Sequence, residues 1–239
     1  MNYQDFELRG LAGEGRLDRT AAFPVLMRKV YVWMSLAMVI TGFTAYGVAT
    51  SPGIMQLVLG NRLVFFGLAV AELALVITVS AAINRLSLTT ATMMFILYSV
   101  LNGALLSSIF LVYTASSIAT VFFITAGTFA AMAAVGYTTK TDLTSMGKYL
   151  LMALIGLIIA TIVNAFVKST GLDYALSYVG VLIFVGLTAY DSQKIKLMLE
   201  QAPDASETGQ KMALLGALTL YLDFINLFLY LLRIFGKRE

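Results

Sequence analysis

The stretch Met212–Phe235, MALLGALTLYLDFINLFLYLLRIF, decides the architecture of this chain. It is longer than the roughly 20 apolar residues that cross the hydrocarbon core of a bilayer as a helix. Within it Thr219, Asp223, Asn226, Tyr230 and Arg233 recur at intervals of four, three, four and three. At about 3.6 residues per turn they line one stripe, while Leu, Ile and Phe cover the rest of the surface. Lipid does not solvate such a stripe, so it faces protein or water. A helix of this kind belongs in the middle of a bundle, and the rest of the chain must supply the helices around it.

Six further apolar runs precede it: Val30–Thr50, Leu63–Ile83, Leu88–Val112, Ala115–Gly136, Lys148–Val167 and Tyr174–Gln193. Each is close to the length of a helical span, and none alternates at period two as the strands of a membrane barrel do. The expected fold is therefore all-α, a polytopic integral membrane protein built as a seven-transmembrane-helix bundle with the last helix central. Of the 239 residues 59% are hydrophobic and 12% charged. Soluble domains average about 45–50% and about 25%, so there are too few charges to build a water-soluble surface. This excludes a soluble enzyme, a disordered chain and a nucleic-acid binder; the net charge of +3 is small and dispersed.

The connections are short. Ser51–Arg62 contains Pro52 and Gly53, Asn84–Ser87 is a tight turn, Tyr137–Gly147 is polar, and Lys194–Lys211 has the composition of a solvated loop. No linker separates two domains, so the chain divides into a polar N-terminal segment, residues 1–29, and a seven-helix domain, residues 30–239. The first segment is not a secretory signal, because the apolar run after it begins late and is too long. The odd number of spans argues against a simple inverted-repeat transporter.

Basic residues concentrate on the cytoplasmic side of membrane proteins. With the N-terminus inside, Arg9, Arg16, Arg19, Arg28, Lys29, Arg85, Lys140, Lys148, Lys194, Lys196 and Lys211 fall on that side, against Arg62 and Lys168 in the outer loops. Arg233, Lys237 and Arg238 at the C-terminal end dissent. A last segment that enters and returns would bring them inside, but Met212–Phe235 is long enough to cross, and a full span is expected. The expected location is a bacterial inner membrane with the N-terminus in the cytoplasm.

The chain has no Cys and no His. Disulfides, thiolate metal sites and Cys nucleophiles are ruled out, as are the usual general base and physiological pH switch. A response to pH near neutrality falls to carboxylates, and charges inside a span are costly enough that each is a functional candidate. Glu72 lies in the second run, Asp191 near the end of the sixth and Asp223 in the seventh. The connection between the last two runs makes them antiparallel neighbours and brings Asp191 and Asp223 to similar depth. Two close carboxylates repel when both are ionised, so a proton can be shared between them. The same oxygens suit a hard cation such as Ca²⁺, making Asp191 and Asp223 the candidate pH-sensing, gating and metal-contacting residues. Thr219, Asn226 and Tyr230 are candidates for lining a pathway beside them. Asn226 and Tyr230 also read as interhelical hydrogen-bonding glue. For Glu72 the partner within the membrane is Arg233, if helix tilt or side-chain reach brings the two to one depth; Glu72 could instead be protonated and simply hydrogen-bonded.

Leu220-Tyr221-Leu222-Asp223-Phe224-Ile225-Asn226-Leu227-Phe228, followed by Leu231-Leu232-Arg233, resembles the last-helix signature of the Bax inhibitor, or transmembrane Bax inhibitor motif, family. Ala189-Tyr190-Asp191 with Gln193-Lys194-Ile195 resembles that family's sixth-helix motif. The resemblance implies a seven-helix bundle with the last helix enclosed by the other six, and a pH-sensitive calcium leak gated by the aspartyl pair matching Asp191 and Asp223. It also implies an ion pair between Glu72 and Arg233. A basic latch at the inner end of the second span would contact the sixth-helix aspartate, and Arg85 is the nearest residue, about two positions beyond the family spacing.

Intramembrane aspartyl proteases also pair a Tyr-Asp with a second Asp in the next helix. Their second motif is Gly-x-Gly-Asp, whereas this chain reads Leu220-Tyr221-Leu222-Asp223 and has no Pro-Ala-Leu near its C-terminus. The expectation is therefore not an enzyme but a passive cation pathway. A proton-coupled carrier and a non-transporting regulator of other membrane proteins are the alternatives. No cofactor is expected; Ca²⁺ is the transported or transiently bound ion. The expected partners are the bilayer, calcium, protons and other membrane proteins, and one chain suffices to form the pathway.

Overall fold

The short connections supply the residues that start the next helices. Asn61 accepts hydrogen bonds from the Leu63 and Val64 amides at 3.0 and 3.4 Å, and Ser87 from the Thr90 amide at 3.1 Å. Thr114 and Ser169 do the same for Ser117 and Leu172, both at 3.3 Å. Side-chain oxygens at these positions satisfy amides that a helix leaves unpaired at its N-terminus. The computed structural model describes residues 3–238, with side chains from residue 21 onward. Its helices are α1 (Tyr3–Ala49), α2 (Pro52–Leu59), α3 (Arg62–Ala82), α4 (Leu88–Leu106), α5 (Ala115–Thr138), α6 (Thr144–Val167), α7 (Thr170–Glu200) and α8 (Glu207–Phe235). All except α2 are long and apolar enough to cross a membrane, and the described residues contain no β-strand.

Three features extend the reading of the sequence. Helix α1 passes unbroken through the boundary at residue 29, and Ala22, Leu26 and Met27 are already buried; the side chains of residues 1–20 lie outside those described. The Ser51–Arg62 connection folds into α2, opened by Pro52 and anchored by Val58 against Val48 and Ala104. Helix α7 continues to Glu200, leaving only residues 201–206 as the last connection. The charges of Lys194 and Lys196 mimic a loop in hydropathy, whereas Ile195 and Leu199 between and beyond them are buried.

Helix α8 is the centre of the bundle. Two thirds of its most apolar stretch is buried (67%), against 6% in α3 and in α6. It packs against α1, α4, α5 and α7, while α3 leans on α4 and α6 on α7. The enclosure thus comes mainly from four helices rather than six, and α3 and α6 turn broad apolar faces outward. Leu63, Phe66, Val70 and Ile77 of α3 are among the residues on that outer surface, which suits lipid and not water.

The last helix crosses completely. At its start the Glu207 carboxylate accepts a hydrogen bond from the Leu88 amide in the α3–α4 turn, at 3.0 Å. Beyond its end the Thr114 amide donates to the Lys237 carbonyl at 3.1 Å and the Lys237 amide to Ser117 Oγ at 2.8 Å, beside the α4–α5 connection. Because α4 joins those two turns, α8 runs the full height of the bundle alongside it, and the re-entrant alternative is ruled out.

Candidate functional site

Helix α7 is gripped on one side by polar side chains on either side of its expected end at Gln193. Ser192 Oγ donates to the Ala133 carbonyl at 3.1 Å. Lys196 Nζ donates to the Tyr137 carbonyl at 3.0 Å and rests 5.0 Å from the centre of that ring. Gln193 ties down the α5–α6 connection, its Oε1 accepting from the Leu143 amide and its Nε2 donating to the Thr141 carbonyl, both at 2.8 Å. Gly136 lets α5 approach so closely that a Cβ there would stand 2.0 Å from the Ala189 carbonyl oxygen. These contacts fix the rotation of α7 on either side of Asp191.

Asp191 lines a cavity of 480 Å³ between α6, α7 and α8. Four residues of the α8 stripe, Thr219, Asp223, Asn226 and Tyr230, line the same cavity. Thr219 Oγ1 and Asn226 Nδ2 donate to carbonyls of their own helix, Leu215 at 3.0 Å and Leu222 at 2.8 Å. Tyr230 stacks on Phe184 of α7 with ring centres 5.8 Å apart, in space that the absent side chain of Gly180 leaves open. The carboxyl groups of Asp191 and Asp223 are neighbours in this wall. Both residues are buried, and Asp223 Oδ2 is the one buried side-chain oxygen or nitrogen among the described residues that no ordinary donor reaches. Ionised carboxylates are acceptors only, so a hydrogen bond between two of them requires a proton held in common. Lys194, one turn beyond Asp191, completes the wall with its ammonium 5.6 Å from the centre of the Tyr190 ring.

The other sequence candidates lie apart. Glu72 does not meet Arg233. Its carboxylate accepts a hydrogen bond from Asn102 of α4, because α3 packs on α2 and α4 rather than on α8. Arg233 pairs instead with Asp173 at the start of α7, 3.6 Å away, and lies 5.5 Å from the centre of the Tyr230 ring. Arg85 is exposed in the α3–α4 turn and makes no ion pair among the described residues. Helix α3 does not reach α7, so Arg85 forms no latch to Asp191. Substitutions Glu72→Gln and Arg233→Gln should therefore add within about 0.5 kcal/mol in thermal unfolding. A coupling well above that would restore the pair. Arg233→Gln and Asp173→Asn should fall short of additivity by about 0.2–1 kcal/mol, as half-exposed ion pairs do.

The carboxyl pair on adjoining last helices is the feature that the sequence resemblance singled out. A model of the family described as "Inhibitor of apoptosis-promoting Bax1" matches residues 24–239. The chain belongs to the Bax inhibitor family. It is 54% identical over 221 residues to the inner membrane protein YbhL of Escherichia coli K12, covering 92% of this chain and 94% of that one. A Borreliella burgdorferi protein is 48% identical over 213 residues, covering 89% and 92% of the two chains. Within this Bax inhibitor bundle the sequence reading overlooked Asn102, Tyr221, Lys194 and Asp173. Lys194 was visible as Asp-x-x-Lys, one helical turn from Asp191, and Asn102 as the amide side chain of an apolar span. Asp173 directly precedes the run expected to begin at Tyr174, and helix α7 begins three residues earlier, which brings Asp173 within reach of Arg233.

Proposed function

We propose that this protein is a passive, pH-responsive leak for cations, calcium foremost, with Asp191 and Asp223 as its gate. The observation that carries this reading is a buried carboxyl pair facing a 480 Å³ cavity, with one Asp223 oxygen that no other donor reaches. While the pair holds a proton in common, α7 and α8 are tied together. When that proton leaves, two buried negative charges repel across the same contact and offer oxygens to a hard cation. Calcium takes six to eight oxygen ligands when firmly held. No group of three or more acidic or other strong ligands occurs among the described residues, which favours passage over storage. Thr219, Asn226 and Tyr230 line the route, and Lys194 sets the local field beside the pair.

The basic residues of the connections favour an N-terminus in the cytoplasm, and the likeness to YbhL favours a bacterial inner membrane. The partners in this reading are the bilayer, calcium and protons, with other membrane proteins as regulators. A single chain contains the whole cavity. The test is calcium entry into liposomes holding a trapped calcium dye, with and without the purified protein, from mildly acid to mildly alkaline pH. Flux should rise with pH and stay proportional to the calcium gradient. Flux no greater than in protein-free liposomes at every pH overturns the proposal, and saturable, counter-transported flux replaces the leak with a carrier.

A further inference from the structure

A second and larger hollow lies on the opposite side of α8 from the carboxyl pair. Helices α1 and α5 do not pack along their length; between them is a cavity of 660 Å³ floored by Phe224 of α8. Its α5 wall is kept low by Ala126, Ala130 and Ala134, and its α1 wall is Met27, Met34 and Met38. Two adjoining hollows of 100 and 440 Å³ continue it along α1 past Met38, as far as Ala45 and Tyr46. From Pro24 to Tyr46 a helix rises about 33 Å, close to the roughly 30 Å of a bilayer's hydrocarbon core. One end is polar. There Arg28, Tyr31, Tyr137 and Thr138 form the rim, and the Phe23 and Tyr137 rings stack 6.5 Å apart between the two helices. Lys196 adds a second cation through its bond to the Tyr137 carbonyl, and no acidic residue lines the hollow.

We propose that this groove binds an anionic phospholipid, with an acyl chain laid between α1 and α5 and the phosphate at Arg28. Water is a poor occupant. The volume would take about 20 molecules at roughly 30 Å³ each, and the walls below the rim offer them almost nothing but methyl, thioether and ring surface. Hydrocarbon fits that lining, and lipid already bathes the open side. Phenols and a guanidinium at one end match the interfacial zone, where cations draw anionic headgroups.

Tyr31 lines the α1 wall, whereas Trp33, the single tryptophan of the chain, does not; Tyr31→Trp in a Trp33→Phe background places a reporter on chains lodged there. The protein is placed in phosphatidylcholine vesicles with increasing phosphatidylglycerol carrying brominated acyl chains. Fluorescence of this reporter should be quenched saturably at low mole fraction, and unbrominated phosphatidylglycerol should relieve the quenching. Brominated phosphatidylcholine should require about fivefold more lipid for the same effect, and Arg28→Gln should erase that difference. Ala130→Phe, which fills the groove from an exposed position on α5, should leave only quenching linear in mole fraction, with an unchanged circular-dichroism spectrum. Linear quenching of the Tyr31→Trp reporter overturns the proposal, as does a saturable component that survives the addition of Ala130→Phe. Equal response to both lipids overturns the headgroup assignment. Quenching that appears only when a cross-linkable dimer is dissociated assigns the groove to a second copy of the chain instead.

Discussion

Asp223→Asn is expected to hold calcium flux low and flat from mildly acid to mildly alkaline pH, while the wild-type flux climbs. An Asn amide at this position donates to Asp191 without needing a proton from solution, so the contact between α7 and α8 persists when the solution becomes alkaline. In the wild type, loss of the shared proton leaves two negative charges in contact. Two unit charges about 4 Å apart in an effective dielectric near 20 repel by about 4 kcal/mol, which is about a thousandfold in an equilibrium and enough to reverse the populations of a two-state element. Asp191→Asn should have the same sign. Its effect should be the smaller of the two, because Asp191 has Lys194 one turn away to offset its charge, whereas Asp223 Oδ2 has no other donor. The measurement is the ratio of flux at the two ends of the pH range in dye-loaded liposomes. If both variants keep the wild-type ratio, the pair is interhelical glue and the gate lies elsewhere.

How much of this was legible beforehand depended on whether a signal was local. Span number, span order and the central place of α8 follow from run length and from the Thr219–Asp223–Asn226–Tyr230 periodicity, both of which are properties of single segments. The meeting of Asp191 and Asp223 was legible as well, because a short connection forces consecutive helices together. The partners of Glu72 and Arg233 were not. Nothing within α3 or α8 states that α4 stands between them, and the choice is made by lateral packing, which puts α3 on the rim. The end of α7 was misjudged for a related reason. Hydropathy counts Gln193, Lys194 and Lys196 as solvated, while the fold gives Gln193 and Lys196 backbone partners on the α5 side and places Lys194 in the cavity wall.

Asn102→Leu is expected to destabilise the protein by about 3 kcal/mol, because one amide joins two buried polar systems and removal leaves donors and acceptors unpaired on both sides. Asn102 Nδ2 donates to the Glu72 carboxylate, and its Oδ1 accepts from the Tyr221 hydroxyl at 3.0 Å. That hydroxyl also meets Thr41 Oγ1 at 2.7 Å, and Thr41 donates to the Ser99 carbonyl at 3.0 Å. Two hydroxyl hydrogens thus serve three contacts, so one contact lacks a donor. Turning the amide over removes the shortage: a neutral Glu72 donates to Oδ1, Nδ2 donates to Tyr221, Tyr221 to Thr41 and Thr41 to Ser99. Oxygen and nitrogen of such an amide are interchangeable in shape, so the same framework accommodates both forms of Glu72. The count makes the outcome specific. Glu72→Gln should be nearly neutral, because its amide supplies the missing hydrogen. Glu72→Leu with Asn102→Leu should recover most of the loss, since removing both partners of a buried bond costs far less than removing one. Thermal unfolding in detergent measures all three. A loss below about 1 kcal/mol for Asn102→Leu, or a double variant no better than the single, would show that α3, α4 and α8 are held by apolar packing alone.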